Sequence, residues 1–551
     1  MQMTGAQILV QALIEQGIDT VFGFPGGYVI DIFDALHSRA DELRLIVPAH
    51  EQGGAHAADG YARISGKTGV MIATSGPGAT NLVTGIANAF MDSVPLVCIT
   101  GNVPLKPVNM MGRDSFQEID IRGVTLPITK HSFLVTDIAK LAETAREAFV
   151  IAHSGRPGPV LIDIPKDVAA GVCEYVSPGR FAPRPQKPPS DDKLRQAAEL
   201  LKKSERPLLF CGGGVVTANA SKELTALAER LDIPVAASLM GLTALPAGHP
   251  LALGMIGMHG TPAANVAGER CDLMIAAGTR FSDRVAGDRR RFAPNAKIIH
   301  IDIDPSEFDK NVICDLPIQG DAKAALAGLF SLLPPLDHAG WLREIAAFKT
   351  RHPMPEGKAA RYLRAVRAAA GSDAVIVTDV GQHQMWTAQH YPFEQPRGFI
   401  TSGGLGAMGF GLGAAVGAKA AAPNRPVVLI TGDGSFHMNM AELAAAQTEN
   451  LPVIVILFNN GVLGMVRQWQ SMFHQNRHAA TTTNRQTDYV KLAEAFGALG
   501  FRAENEEQFE KALDQALLSG KTCVIDCAIG PDDMVFPMIP PGKSGKDIVY
   551  E

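Results

Sequence analysis

The stretch 427–469 constrains this chain more than any other. An apolar run, Val427, Val428, Leu429, Ile430 and Thr431, breaks abruptly into Gly432, Asp433, Gly434, Ser435 and Phe436. A second run over 452–458 breaks into Asn459, Asn460 and Gly461. Both are short, rich in β-branched residues and bounded by turn formers, as buried parallel strands are. Such strands end side by side at the edge of an α/β sheet where ligands bind. That edge carries a carboxylate (Asp433), a carboxamide (Asn460) and glycines that let backbone approach closely. Hard oxygen donors of this kind suit magnesium, which keeps a few protein ligands and takes the rest from phosphate and water. Alone, each motif is also an ordinary polar turn at a strand end. The order Gly-Asp-Gly, helix, strand, Asn-Asn, with 27 residues from Asp433 to Asn460, is far more restrictive.

With 551 residues the chain has room for about three domains. At 46% apolar and 19% charged it has the composition of a soluble globular protein. A net charge of −6 argues against a nucleic-acid partner or an anionic membrane surface. The N-terminus lacks a basic leader region, and Glu15 interrupts its apolar pattern; it reads as an amphipathic helix capped by Thr4, not as a signal peptide. No uncharged apolar run reaches the roughly 18 residues that a membrane span needs. Seven scattered cysteines include Cys523 and Cys527, which fall on one face of an expected strand and read as core. A reducing compartment, the cytoplasm, is therefore expected.

The fold class expected is α/β, with three doubly wound parallel-sheet domains. Strands are expected at 20–24, 43–47, 69–74 and 95–100, alternating with helices, within a first domain over 1–175. Five prolines mark 176–192 as a linker. A middle domain over 193–335 has strands at 207–211, 234–237, 272–277 and 297–303. A polar connection crosses 334–360. The last domain, 360–530, begins with a strand at 374–378, and 531–551 forms an arm without a clear period. The first and third domains could share one sheet topology.

Two further motifs carry chemistry. Glu51, in the sequence Ala49-His50-Glu51-Gln52-Gly53, stands where a strand gives way to a helix. An acid there favours the helix dipole and needs no other role; among apolar helices it could equally serve as a desolvated proton-transfer group. The turn from Ser75 through Gly76, Pro77 and Gly78 to Asn81 enters a helix, so its amides could bind an anion or merely shape the turn.

Read together, these motifs resemble the acetohydroxyacid synthase (acetolactate synthase) catalytic-subunit family of thiamine-diphosphate enzymes. The resemblance runs nearly end to end. It rests on FGFPGG (22–27), HEQGGAHAADGYAR (50–63), ATSGPGATNLVTGIANA (73–89), GRDSFQE (112–118), GMIGMHG (254–260), RFSDRVAG (280–287), TDVGQHQMW (378–386), GGLGAMGFG (403–411), GDGSF (432–436) and NNGVLGMVRQWQ (459–470).

The resemblance implies thiamine diphosphate, magnesium and flavin adenine dinucleotide (FAD) as cofactors. It makes Glu51 the carboxylate on the aminopyrimidine ring, with Gln117 also catalytic. Asp433, Asn460 and the Val462 carbonyl would hold the metal. Gly434, Ser435, Val380, Gly381, Gln382 and His383 would meet the diphosphate. Met408 would wedge the cofactor into its bent form while the Gly406 carbonyl accepts from its amine. Gly212, Gly213, Gly214, Gly278, Arg280 and Asp302 would bind FAD in the middle domain. Phe116, Arg284, Met465 and Trp469 would line the pocket for the second 2-keto acid. The implied reaction decarboxylates pyruvate and joins the two-carbon unit to pyruvate or 2-ketobutyrate, a step towards valine, leucine and isoleucine. A homodimer or homotetramer and a small regulatory subunit are the implied partners.

Some positions depart from the family pattern. Ser282 and Asp283 stand where two acids are usual, and Ala49 where arginine is common. The loop 101–112 looks about three residues longer than the family form, and Arg289, Arg290 and Arg291 form an unusual triplet. Rival readings are a thiamine enzyme without the second acceptor or without flavin, and a non-catalytic nucleotide sensor. Arg284, Trp469 and the flavin motifs oppose the first; Glu51, Asp433 and Asn460 kept together oppose the second.

Overall fold

The computed structural model describes residues 1–551 except 106–113, 178, 181, 183 and 484. The longer loop expected over 101–112 falls largely outside the described residues, as do the first two residues of the 112–118 motif.

Three six-stranded sheets organise the chain, and every pairing within them is parallel. The first has the order Arg44–Ile46, Thr20–Gly23, Gly69–Ala73, Leu96–Asn102, Pro159–Pro165, His131–Leu134. The third has Phe399–Ile400, Val375–Thr378, Val427–Gly432, Ile454–Asn459, Cys523–Ala528, Leu499–Ala503. Numbered along the chain, both read 2-1-3-4-6-5, so the first and third domains do share one topology. The middle sheet reads 3-2-1-4-5-6, with Pro207–Cys211 beside Leu273–Ala277 where the order reverses. Ligands bind at such reversals, just beyond the strand ends.

The central strands are buried on both faces, which is why they appear in the sequence as unbroken apolar runs. Cys523 and Cys527 lie in this core, and all seven cysteines are free thiols. Thr4 caps the first helix through a reciprocal capping box with Gln7, as the sequence suggests. No helix among the described residues is long and apolar enough to cross a membrane.

The polar, proline-containing connection over 334–360 carries a helix of its own, Ala339–Arg351. It buries Trp341, Ile345 and Phe348, spaced along one face, and the Trp341 indole donates to the Pro207 carbonyl at 3.1 Å. The prolines at 334, 335, 353 and 355 only bound that helix.

Two features hold the domains together. The helices Glu51–Ser65 and Phe410–Ala421 cross with backbones touching: a Cβ built on Gly60 would overlap the Ala414 carbonyl, and one on Gly417 the Ala57 carbonyl. The arm after residue 530 returns to the middle domain. Its Ile539 N–H donates to the Met258 carbonyl at 2.7 Å, and the Asp288 N–H donates to the Lys543 carbonyl at 3.2 Å. Side chains hold it as well: Gln468 exchanges hydrogen bonds with the Val535 backbone, and Lys546 pairs with Glu269.

Candidate active site

At the reversal of the third sheet, the ends of Val375–Thr378 and Val427–Gly432 present Val380, Gly381, Gln382 and His383 beside Asp433, Gly434 and Ser435. The Ser435 hydroxyl donates to the Val380 carbonyl at 2.8 Å and locks the two turns together. His383 is buried; burial pushes its pKa down to about 3 and keeps the ring neutral, and its Nε2 has no partner. An anion placed beside the ring would counter that desolvation. Burial also raises the pKa of Asp433, against the opposing pull of the Asn460 backbone N–H. Asn460 Oδ1 accepts from Val462 N–H at 3.1 Å, so the Asn-Asn turn is preformed.

Met408 reaches the same place. A Cβ on Gly434 would lie 3.7 Å from Met408 Cε, and Gly406 sits next to Val380 with a φ of +69° that favours glycine. Sequence reasoning passed over Asp379, which fixes this loop. Its carboxylate accepts from the backbone N–H groups of Val380, Gly409 and Gly411 at 2.8, 2.9 and 3.1 Å. Burial nonetheless pushes its pKa up to about 6. An acid closing an apolar strand, as in the run 375–379, was the available signal.

From here a cleft of about 1370 Å³ continues into the middle domain. Its lining includes Val380, Gly381, Met408, Met465 and Trp469 at one end and Gly213, Gly214, Gly278, Arg280 and Asp302 at the other. Gly212 and Gly278 belong to touching turns at the reversal of the middle sheet: a Cβ on Gly212 would overlap the Gly278 carbonyl. Burial lowers the pKa of Arg280, and its guanidinium has no hydrogen-bond partner among the described residues, so the cleft holds an unpaired cation. Burial pushes Asp302 up to about 6. Between the two ends, the Arg284 guanidinium lies over the Trp469 ring, 5.6 Å from its centroid, with Met258 Sδ at 3.5 Å.

Glu51, Gln117 and Phe116 form a separate group at the edge of the first sheet. Glu51 is only 8% exposed and accepts from Asn81 Nδ2 at 2.9 Å. The buried hydroxyls of Thr74 and Ser75 nearby have no partner. Gln117 takes a φ of +61° and packs on Gly76, while Phe116 is 80% exposed and its carbonyl accepts from the Tyr28 hydroxyl. None of the three lines the cleft.

The geometry can be set beside known proteins. Residues 3–124, 194–329 and 379–527 match the family models for the N-terminal TPP-binding, central and C-terminal TPP-binding domains of thiamine pyrophosphate enzymes. The chain is 46% identical to the probable acetolactate synthase large subunit of Methanocaldococcus jannaschii, over 99% of this chain and 95% of that one. It is 46% identical to the acetolactate synthase isozyme 2 large subunit of Escherichia coli, over 99% of both. It is 47% identical to the acetolactate synthase large subunit of Parasynechococcus marenigrum, over 99% of this chain and 91% of that one. The chain belongs to the acetolactate synthase large-subunit family.

In this member of the acetolactate synthase family, the 380–381 turn and Met408 share one cleft with the glycine turns of the middle sheet, and Glu51 is not among the residues that line it. Among the described residues no cluster of three or more His, Cys, Asp or Glu side chains could hold a metal alone. A site built from one carboxylate, one carboxamide and a carbonyl fits that finding, because the remaining ligands would come from a diphosphate and water. Partner-free Nε2 of His383 and the partner-free cleft cation Arg280 fit the diphosphate groups of thiamine diphosphate and of a dinucleotide, respectively.

Proposed function

We propose that this chain is the catalytic subunit of an acetolactate synthase using thiamine diphosphate, magnesium and FAD. The observation that carries the reading is the Arg284 guanidinium lying over the Trp469 ring in a cleft that Met465 also lines. A simple decarboxylase needs no second carboxylate site beside the first. Bound thiamine diphosphate supplies the electron sink for loss of carbon dioxide from a 2-keto acid.

The protein's own groups do the rest. Asp433, Asn460 and the Val462 carbonyl would hold magnesium, and Gly434, Ser435 and the 380–383 turn would meet the diphosphate. Met408 would wedge against the cofactor, and the Gly406 carbonyl would accept a hydrogen bond from it. Glu51 holds a proton against the aminopyrimidine ring nitrogen in a water-poor site. Arg284 takes the carboxylate of the acceptor acid in a bidentate pair, and Trp469 and Met465 wall its alkyl end. Phe116 and Gln117 approach from the first domain. Gly212, Gly213, Gly214, Gly278, Arg280 and Asp302 cradle FAD.

By the family resemblance, a second copy of the chain supplies the Glu51 group, giving a homodimer or a pair of such dimers. The relatives' designation as large subunits supports a small regulatory partner, and the name acetolactate synthase supports pyruvate as substrate; 2-ketobutyrate is the alternative acceptor that the family resemblance implies. The reading places the enzyme in the cytoplasm, in branched-chain amino-acid synthesis.

The test is to incubate purified protein with pyruvate, thiamine diphosphate and magnesium, and to assay acetolactate and acetaldehyde separately. Acetolactate as the main product is expected; acetaldehyde alone would overturn the carboligase reading. Failure to take up FAD on reconstitution would overturn the reading of the middle domain.

A further inference from the structure

The helix Glu51–Ser65 starts in an unusual way. His50 is its N-cap, and the His50 ring accepts from Gln52 N–H at 3.1 Å. In a capping box the third helical residue is Glu or Gln, and its side chain reaches back to the N-cap N–H. Here that third residue is Gly53, which has no side chain to offer.

The missing carboxylate comes from another domain. Glu442, the first residue of the helix Glu442–Thr448, is 1% exposed. Its Oε1 accepts from the His50 N–H at 3.0 Å and its Oε2 from the Ala49 N–H at 3.2 Å. A Cβ built on Gly53 would overlap Glu442 Oε1, Cδ and Cγ together, so Glu442 fills the space of the absent side chain. Burial pushes its pKa up to about 7, and the two N–H groups pull the other way. About two turns further on, at the helix C-cap, Glu449 accepts from the Val47 N–H at 3.3 Å, and its carbonyl accepts from Arg44 at 2.9 Å. The strand and turn leading to Glu51 are thus docked along a helix that follows Asp433 closely in the chain.

We propose that Glu442 is the positioning residue for Glu51: it supplies from the third domain the cap on which the Glu51 helix begins, and so sets where the Glu51 carboxylate meets the cofactor. The proposal rests on the reading of Glu51 as the aminopyrimidine carboxylate. Glu51 is the first helical residue, so any slack in the two residues before it is passed to its side chain. A shift of about 1 Å in a reacting group can cost up to about a hundredfold in rate. A purely structural cap would lower stability and leave the chemistry of bound cofactor alone.

The experiment measures hydrogen–deuterium exchange at the thiazolium C2 of thiamine diphosphate bound to the magnesium- and FAD-loaded enzyme, without substrate. Three variants are compared with wild type. Glu442→Gln keeps the shape but offers one acceptor oxygen and sets an NH2 against the other N–H. Gly53→Ala keeps the carboxylate but pushes it off its seat, and it decides the question if Glu442→Gln does not fold. Glu51→Gln reports on the underlying reading. The expected result is exchange slowed about tenfold or more in both Glu442→Gln and Gly53→Ala with the cofactor still bound, and slowed further in Glu51→Gln. Wild-type exchange in the first two, with only the melting temperature lowered, overturns the positioning role while Glu51 stands. Wild-type exchange in Glu51→Gln removes the role of Glu51 itself, and the proposal with it.

Discussion

Replacing Trp469 with leucine separates two contributions that the geometry places on one ring. The Arg284 guanidinium lies 5.6 Å from the indole centroid, and Arg284 is exposed while Trp469 is half-buried. A cation–π contact in such a setting contributes about 0.5–1 kcal/mol. Losing it weakens capture of any acceptor carboxylate a few-fold, equally for pyruvate and 2-ketobutyrate. The wall contact differs, because only 2-ketobutyrate has the extra methylene, and one methylene in a fitted pocket is worth about 1–3 kcal/mol, or roughly tenfold to two-hundredfold. The product ratio in a competition between the two acceptors therefore cancels the first contribution and reports the second. Trp469→Leu should move that ratio towards the pyruvate-derived product by up to about tenfold, since leucine keeps part of the apolar surface. Release of carbon dioxide from the first pyruvate should change little. An unchanged ratio with a large fall in melting temperature would refute the pocket role and leave Trp469 as packing against Phe473.

Other expectations follow from the same geometry. Glu51→Gln should retain FAD, measured by its absorbance, while turnover of pyruvate falls by about two orders of magnitude or more; turnover close to wild type would refute the assignment. Asp433→Ala should lose magnesium-dependent binding of thiamine diphosphate, measured by calorimetry, and keep FAD; the reverse pattern would contradict the division of the cleft. Gly417→Ala, which drives a methyl into the Ala57 carbonyl, should destabilise the fold by about 1–3 kcal/mol or more in a denaturant titration. Asp163 is buried with Thr100 and Asn102, and burial pushes its pKa up to about 7. An acid whose folded pKa is raised contributes stability that is fully present below its unfolded value near 4 and is lost as pH rises to 7. Asp163→Asn should therefore remove up to about 1.4 kcal/mol per pH unit of slope from the stability curve between those limits, and identical slopes would refute it.

Much of the architecture was legible because buried parallel strands write themselves as short apolar runs between turn formers. The runs at 427–431 and 207–211 correspond to observed strands at nearly the same residues. The strands at the sheet edges, His131–Leu134 and Leu499–Ala503, are half-exposed and mix polar with apolar residues, so no continuous run announces them. The helix Ala339–Arg351 was hidden by flanking prolines, although Trp341, Ile345 and Phe348 carried its period. Glycine motifs exposed the ligand-facing turns, because backbone approach restricts residue choice there. Asp379 and Glu442 were not legible in the same way. An acid closing the run 375–379 marks Asp379 but not its bonds to Gly409 and Gly411, and nothing near Glu442 in the sequence points to the Ala49 and His50 N–H groups that it meets.

The arm has a consequence for the order in which the protein is made. The Met258 N–H donates to the Arg284 carbonyl at 2.8 Å, while the Met258 carbonyl accepts from Ile539, so the segment carrying Arg284 is braced by residues that follow the last strand. A ribosome releases the middle domain long before residue 539 emerges. During synthesis the sheets can form while the brace is still missing, and only the residues made after the last strand deliver it. A messenger cut short after the last strand would therefore yield a chain with three finished sheets and an unsupported Arg284.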